Sequence, residues 1–143
     1  MELFHTSPNP IDAINSYGML GECLCFSSNV YQMAACKVLV YKLEVSEHEI
    51  IEARSFFYRD DYKKLDQIVA NVMELADCNE EQAQEFLSQN DHHHDAEIDW
   101  RIQGYAGEAA KVLGFRACKS QDEQGAVYIV PMYVREADLI LIE

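Results

Sequence analysis

Apolar residues recur along this chain with two different periods, and the switch between them marks out its elements. Leu3 and Phe4 open a short strand that runs into His5-Thr6-Ser7, and Pro8-Asn9-Pro10 then breaks regular structure. Ile11 and Ile14 are spaced for a single helical turn closed by Gly18. Cys23-Leu24-Cys25-Phe26 reads as a strand leaving the core at Ser27-Ser28. Ser28 or Asn29 can cap a short helix over 30–35, and KVLVYKLEV at 37–45 reads as another strand. The middle of the chain changes to helical spacing. Leu65, Ile68, Val69, Val72, Met73 and Ala76 predict an amphipathic helix over 62–76, and Asn79 with Gln82 resembles a capping box for a second helix through Phe86 and Leu87. A third helix is predicted over 96–113. Its buried face carries Ile98, Ile102, Tyr105, Ala106, Ala109 and Leu113, its alanines and Gly107 permit close packing on a sheet, and Gly114 stops it. Strands at 115–119 and 126–130 flank the turn Gln121-Asp122-Glu123-Gln124-Gly125, and Leu139 to Ile142 forms a last strand.

This order of elements predicts an α+β fold in one domain spanning 1–143, with a helical insert at about 60–90. No run reaches the ~18 apolar residues a membrane helix needs, and the first residues lack the basic and apolar stretches of a secretory signal, so an intracellular protein is expected. The five cysteines contain no C-x-x-C pair, which favours reduced, buried thiols over a disulfide or zinc framework. A formal charge of -14, from 25 acidic and 11 basic residues, disfavours direct nucleic-acid binding and suits a basic partner.

Several residues could carry chemistry. A His followed by two hydroxyls at a strand end, His5-Thr6-Ser7, offers donors and acceptors suited to a ribose and a carboxamide, although a lone His near a terminus is more often a satisfied surface residue. Phe26 is either a core aromatic or a stacking surface for a flat ring. Asp60 and Asp61 precede a helix and are expected to cap it rather than to act as paired catalytic acids. Asp91-His92-His93-His94-Asp95 is the most metal-like run. Three consecutive histidines cannot all face one ion from a regular element, so an exposed linker that binds metal loosely is the preferred reading. The turn at 121–125 places Asp122 and Glu123 at the lip of a sheet, where a developing positive charge could use a carboxylate.

Taken together, Phe4-His5-Thr6-Ser7, Gly21 with Leu24-Cys25-Phe26-Ser27, and Leu113-Gly114-Phe115 with the 121–125 turn resemble the ADP-ribosyltransferase fold. More specifically, Met1-Glu2-Leu3-Phe4-His5 with Ser7, the Trp100 helix running into Leu113-Gly114-Phe115, and Asp122-Glu123-x-Gly125 are similar to ADP-ribosyltransferase anti-CRISPR proteins of phages and mobile elements. The likeness covers both ends of the chain and leaves about the middle third unmatched. It implies two small β-sheets forming an NAD cleft with flanking helices. It further implies NAD as substrate, a protein subunit of a type I CRISPR surveillance complex (type I-F in the family) as partner, and action in the cytoplasm of a bacterial host, with neither nucleic acid nor membrane bound directly. By the same resemblance His5 would bind the adenosine-side ribose, and the backbone at Thr6 would hold the nicotinamide carboxamide with Ser7 beside it. The aromatic packing on nicotinamide would be Phe26, with Ser27 at the ribose. Tyr31 is the candidate for a second aromatic and Tyr41 the reserve.

One departure stands out. The wider transferase pattern has a catalytic Glu immediately before an aromatic on the late strand, and here Val127 precedes Tyr128. The resemblance gives the catalytic role to Asp122 in the preceding turn, with Glu123 as competitor. Two alternatives to the transferase stay open: a non-catalytic acidic binder on the same fold, and a toxin-like transferase with another host target.

Overall fold

The computed structural model describes residues 1–7, 23–28, 39–122, 125–132 and 135–142. The predicted turn around Ile11 and Ile14, the helix over 30–35 with Tyr31, and Glu123 all lie outside the described residues. Among the described residues, seven strands form two sheets: β1 (Glu2–Ser7), β2 (Cys23–Phe26), β3 (Leu39–Glu44), β4 (Ile50–Glu52), β5 (Ala117–Asp122), β6 (Gly125–Pro131) and β7 (Ile140–Leu141). The first sheet has the order β1-β3-β7 and the second β2-β6-β5-β4. All pairings are antiparallel except β4 with β5. The helices α1 (Asp66–Ala76), α2 (Glu80–Leu87) and α3 (Ala96–Val112) join them in an α+β architecture.

Strand alternation gives the second sheet two apolar faces. Phe26, Ala117, Tyr128 and Val130 lie against Leu3 and Leu43 of the first sheet and Val45 just past β3. The opposite face, with Cys23, Ile51, Cys118 and Ile129, packs on the helices through Leu65, Val72, Leu87 and Ile102. The helical middle therefore shares the core of the second sheet. α3 approaches that sheet unusually closely, because a Cβ added to Gly107 would stand 2.6 Å from Cys23 Sγ and 2.8 Å from Ile129 Cγ2. No side chain larger than hydrogen fits there without displacement.

Several predicted boundaries shift. The first turn of the 62–76 helix is a 3-10 turn over Tyr62–Leu65, and α proper begins at Asp66. Asp61 makes no cap: its carboxylate accepts from Arg59 Nε at 2.8 Å, which holds its pKa below the usual range and raises that of Arg59. Asn79 does cap α2, accepting from Gln82 N–H at 2.8 Å, but the Gln82 amide donates to Asp91 at 2.9 Å instead of completing a capping box. Asp95 caps α3 through the N–H groups of Glu97 and Ile98. The strand predicted at 115–119 starts later and runs on, so Gln121 and Asp122 belong to β5, and Asp122 pairs in register with Gly125. The last strand is shorter than 139–142, and β4 with the 3-10 turns of Ala53–Tyr58 was not anticipated.

Among the described residues no helix is long and apolar enough to cross a membrane. Cys23, Cys25, Cys78 and Cys118 are free thiols, and burial pushes the Cys118 thiol far up, so it behaves as a small apolar core residue. Cys36 lies outside the described residues.

Candidate functional site

The two sheets meet where β1 passes β2. Phe4 and Ser27 exchange both main-chain hydrogen bonds, at 2.8 and 2.9 Å, in an isolated antiparallel bridge. Backbone groups along a strand alternate sides, so those of Thr6 are aimed at the same edge as those of Phe4. One residue past the bridge, the imidazole of His5 lies between the strands, with Nδ1 2.8 Å from the carbonyl oxygen of Cys25. A carbonyl can only accept, so Nδ1 carries the hydrogen; in the neutral ring Nε2 is then an acceptor, the role a ribose hydroxyl requires.

The His5 ring sits 5.6 Å from that of Phe26. Phe26 is only 1% exposed, so it forms a floor beneath His5 rather than an open stacking face. Ser27 is buried beside it. Tyr41 pairs with His5 across β1 and β3 and is buried, which places this aromatic on the His5 face of the first sheet. Phe4 pairs with Lys42, Thr6 with Val40 and Ser7 with Leu39.

On the other side of β2, Phe26 pairs with Tyr128, and Tyr128 with Lys119. Val127, in the position that would carry the strand Glu, pairs with Ser120 and is 7% exposed. No carboxylate occupies that slot. The Asp122–Gly125 end of the hairpin lies at the same end of the sheet as Phe26 and Ser27. From Phe26, Asp122 is two strands across and three residues along, or roughly 10 Å in each direction. His5, Phe26, Ser27 and the Asp122–Gly125 pair are thus grouped at one end of the second sheet, next to its junction with the first.

The histidine run is elsewhere, between α2 and α3. His92 contacts Asp99, His93 Nδ1 accepts from the Asp95 N–H at 3.0 Å, and the rings of His93 and His94 stack at 4.4 Å. Among the described residues, no group of three or more His, Cys, Asp or Glu side chains is placed to hold a metal ion. Sequence reasoning missed Gln89 and Ser120, whose side chains join the helices to β5, and no local pattern in the sequence marks either.

The family model for the anti-CRISPR type I-F ADP-ribosyltransferase AcrIF11 matches residues 1–136. The chain belongs to the AcrIF11 family. A crystal structure of an anti-CRISPR protein shares the fold, with a TM-score of 0.61 and 18% identity over 91% of this chain and 88% of that one. No curated protein matches the chain. The mixed α+β architecture of two small sheets and helices fits that family, and ADP-ribosylation-based anti-CRISPR function goes with membership.

Proposed function

We propose that this AcrIF11-family chain is an NAD-dependent mono-ADP-ribosyltransferase that modifies a DNA-reading protein subunit of a type I CRISPR surveillance complex and thereby blocks target binding. Family membership over residues 1–136 carries this reading, and residues 1–143 are taken as one transferase unit with its helical insert. The dinucleotide lies across the β1–β2 junction. His5 Nε2 accepts from the adenosine-side ribose, the backbone at Thr6 holds the carboxamide with Ser7 alongside, and Phe26, Ser27 and Tyr31 or Tyr41 shape the nicotinamide end.

Cleavage of the bond between nicotinamide and ribose builds positive charge at the anomeric carbon and ring oxygen. A carboxylate in the hairpin turn, Asp122 or its neighbour Glu123, stabilises that charge more in the transition state than in the ground state. Nicotinamide leaves with the bonding pair, a lone pair of the target's acceptor atom bonds to the anomeric carbon, and the acceptor's proton passes to solvent. An attached ADP-ribose adds bulk and phosphate charge where the target would contact DNA, opposing binding both sterically and electrostatically.

The charge distribution supports a basic target. Between Lys64 and Arg101 the chain carries five Asp and five Glu and no Lys or Arg, so α1, α2 and the start of α3 form an anionic stretch. The test is to incubate the protein with NAD and purified type I-F complex. A mass increase of one ADP-ribose on a single subunit is expected, and no increase on any subunit would overturn the reading. Val127 favours one second reading, a non-catalytic acidic binder on the same fold; such a binder would inhibit equally well without NAD.

A further inference from the structure

α2 and α3 end in the same hydrogen-bonded cap, with different residues at the critical position. In α3 the N–H of Gly114 bonds to Lys111 O and that of Phe115 to Ala110 O, with Gly114 at φ 92°. In α2 the N–H of Gln89 bonds to Phe86 O and that of Asn90 to Glu85 O, with Gln89 at φ 62°. This left-handed position favours glycine, and a glutamine adopts it against its own preference. A side chain kept at such a site is expected to have work that glycine could not do.

The Gln89 amide is held at both ends. Its Nε2 donates to Phe86 O at 2.9 Å, and its Oε1 accepts from the hydroxyl of Ser120 at 3.3 Å. Ser120 is 6% exposed and stands two residues before Asp122. The β4–β5 ladder ends at the Glu52–Lys119 pair, so the last three residues of β5 run beyond their outer neighbour. In place of a strand, a cleft of about 100 Å³ lies there, bounded by Ala53, Arg54, Gln89, Ser120 and Gln121. The Gln89–Ser120 bond ties the overhang to the helices.

We propose that Gln89 is a positioning residue: acting through Ser120, it sets where the Asp122–Gly125 turn stands relative to the β1–β2 junction. The inference rests on the proposed catalytic role of that turn. It links the helical insert mechanically to the reacting end of the sheet.

The test compares Gln89→Gly, Ser120→Ala and the double variant in the full chain. Glycine suits φ 62°, so Gln89→Gly is expected to keep the wild-type unfolding midpoint while removing the clamp. Amide exchange over residues 120–126 is expected to speed up about tenfold in each single variant, and kcat for NAD turnover to fall about three- to tenfold with KM for NAD unchanged. The double variant should be no worse than either single one, because both break the same bond. Unchanged exchange over 120–126 in both single variants would overturn the proposal, as would additive losses in the double. If the wild-type chain turns over no NAD, the transferase reading fails, and the exchange measurement still decides whether the clamp positions the turn.

Discussion

At the β1–β2 junction the main chain makes the contact between the sheets: Phe4 and Ser27 exchange two backbone hydrogen bonds, and the carbonyl of Cys25 orients the His5 ring over a buried Phe26. The end of β5 is held differently: Ser120 to Asp122 run past the last pairing with β4, keep only β6 as a neighbouring strand, and are tied to the helices by a side-chain bond. The first arrangement resists substitution, since most of its groups are backbone, and suits a part of the site that grips a ligand in one pose. The second can be re-aimed by single side-chain changes, which suits the part that meets the acceptor. In this account ligand affinity belongs mainly to the junction and turnover mainly to the turn.

The largest effect that would break this division is expected from Asp122→Ala. Removing the carboxylate should lower transfer by a factor of ~10² to 10³, about 3 to 4 kcal/mol of transition-state stabilisation, while calorimetry shows NAD binding largely intact. Loss of NAD binding as well would make Asp122 a ligand-positioning residue and blur the two halves.

Next in size is Gly107→Ala, which strikes the support common to both. The new methyl group must displace Cys23 or Ile129, both in the face that carries the hairpin. Denaturant unfolding should report a loss of about 1 to 3 kcal/mol.

His5→Ala probes the junction alone. Deleting one oriented acceptor should weaken NAD binding about tenfold, or about 1.4 kcal/mol, with kcat at saturating NAD nearly unchanged. A fall in kcat without a change in affinity would reverse the assignment of roles.

The smallest effect tests a pair remote from both halves. Arg59 lowers the pKa of Asp61, so the pair contributes stability above the ordinary Asp range and loses it as pH falls through about 4 and below. Both groups are solvent-screened. Asp61→Asn should therefore flatten the acid limb of the stability profile slightly and leave neutral-pH stability and NAD turnover almost untouched.

The helices were legible in the sequence because a 3.6-residue period is hard to produce by chance: Ile102, Ala106, Ala109 and Leu113 are buried as their spacing required. β4 was not, since three residues in a parallel pair carry too little pattern to distinguish from a loop. Capping chemistry was half legible. Asn79 and Gly114 act as their residue types suggest and could be recognised, whereas Asp61 turns to Arg59 two residues before it and Gln82 to Asp91, a partner beyond the end of its own helix. At the site, residue types marked His5 and the hairpin turn as candidates. The tautomer of His5, the burial of Phe26 and the clamp at Gln89 depend on contacts between residues 20 to 31 positions apart or more, and no local spacing encodes them.

The most direct test is a crystal structure of the chain with a non-hydrolysable NAD analogue. The account predicts a ribose hydroxyl donating to His5 Nε2, the carboxamide on the main chain of Thr6, and the Asp122–Gly125 turn facing the other ribose. An analogue bound on another face of the sheets, with no contact to His5, would contradict it.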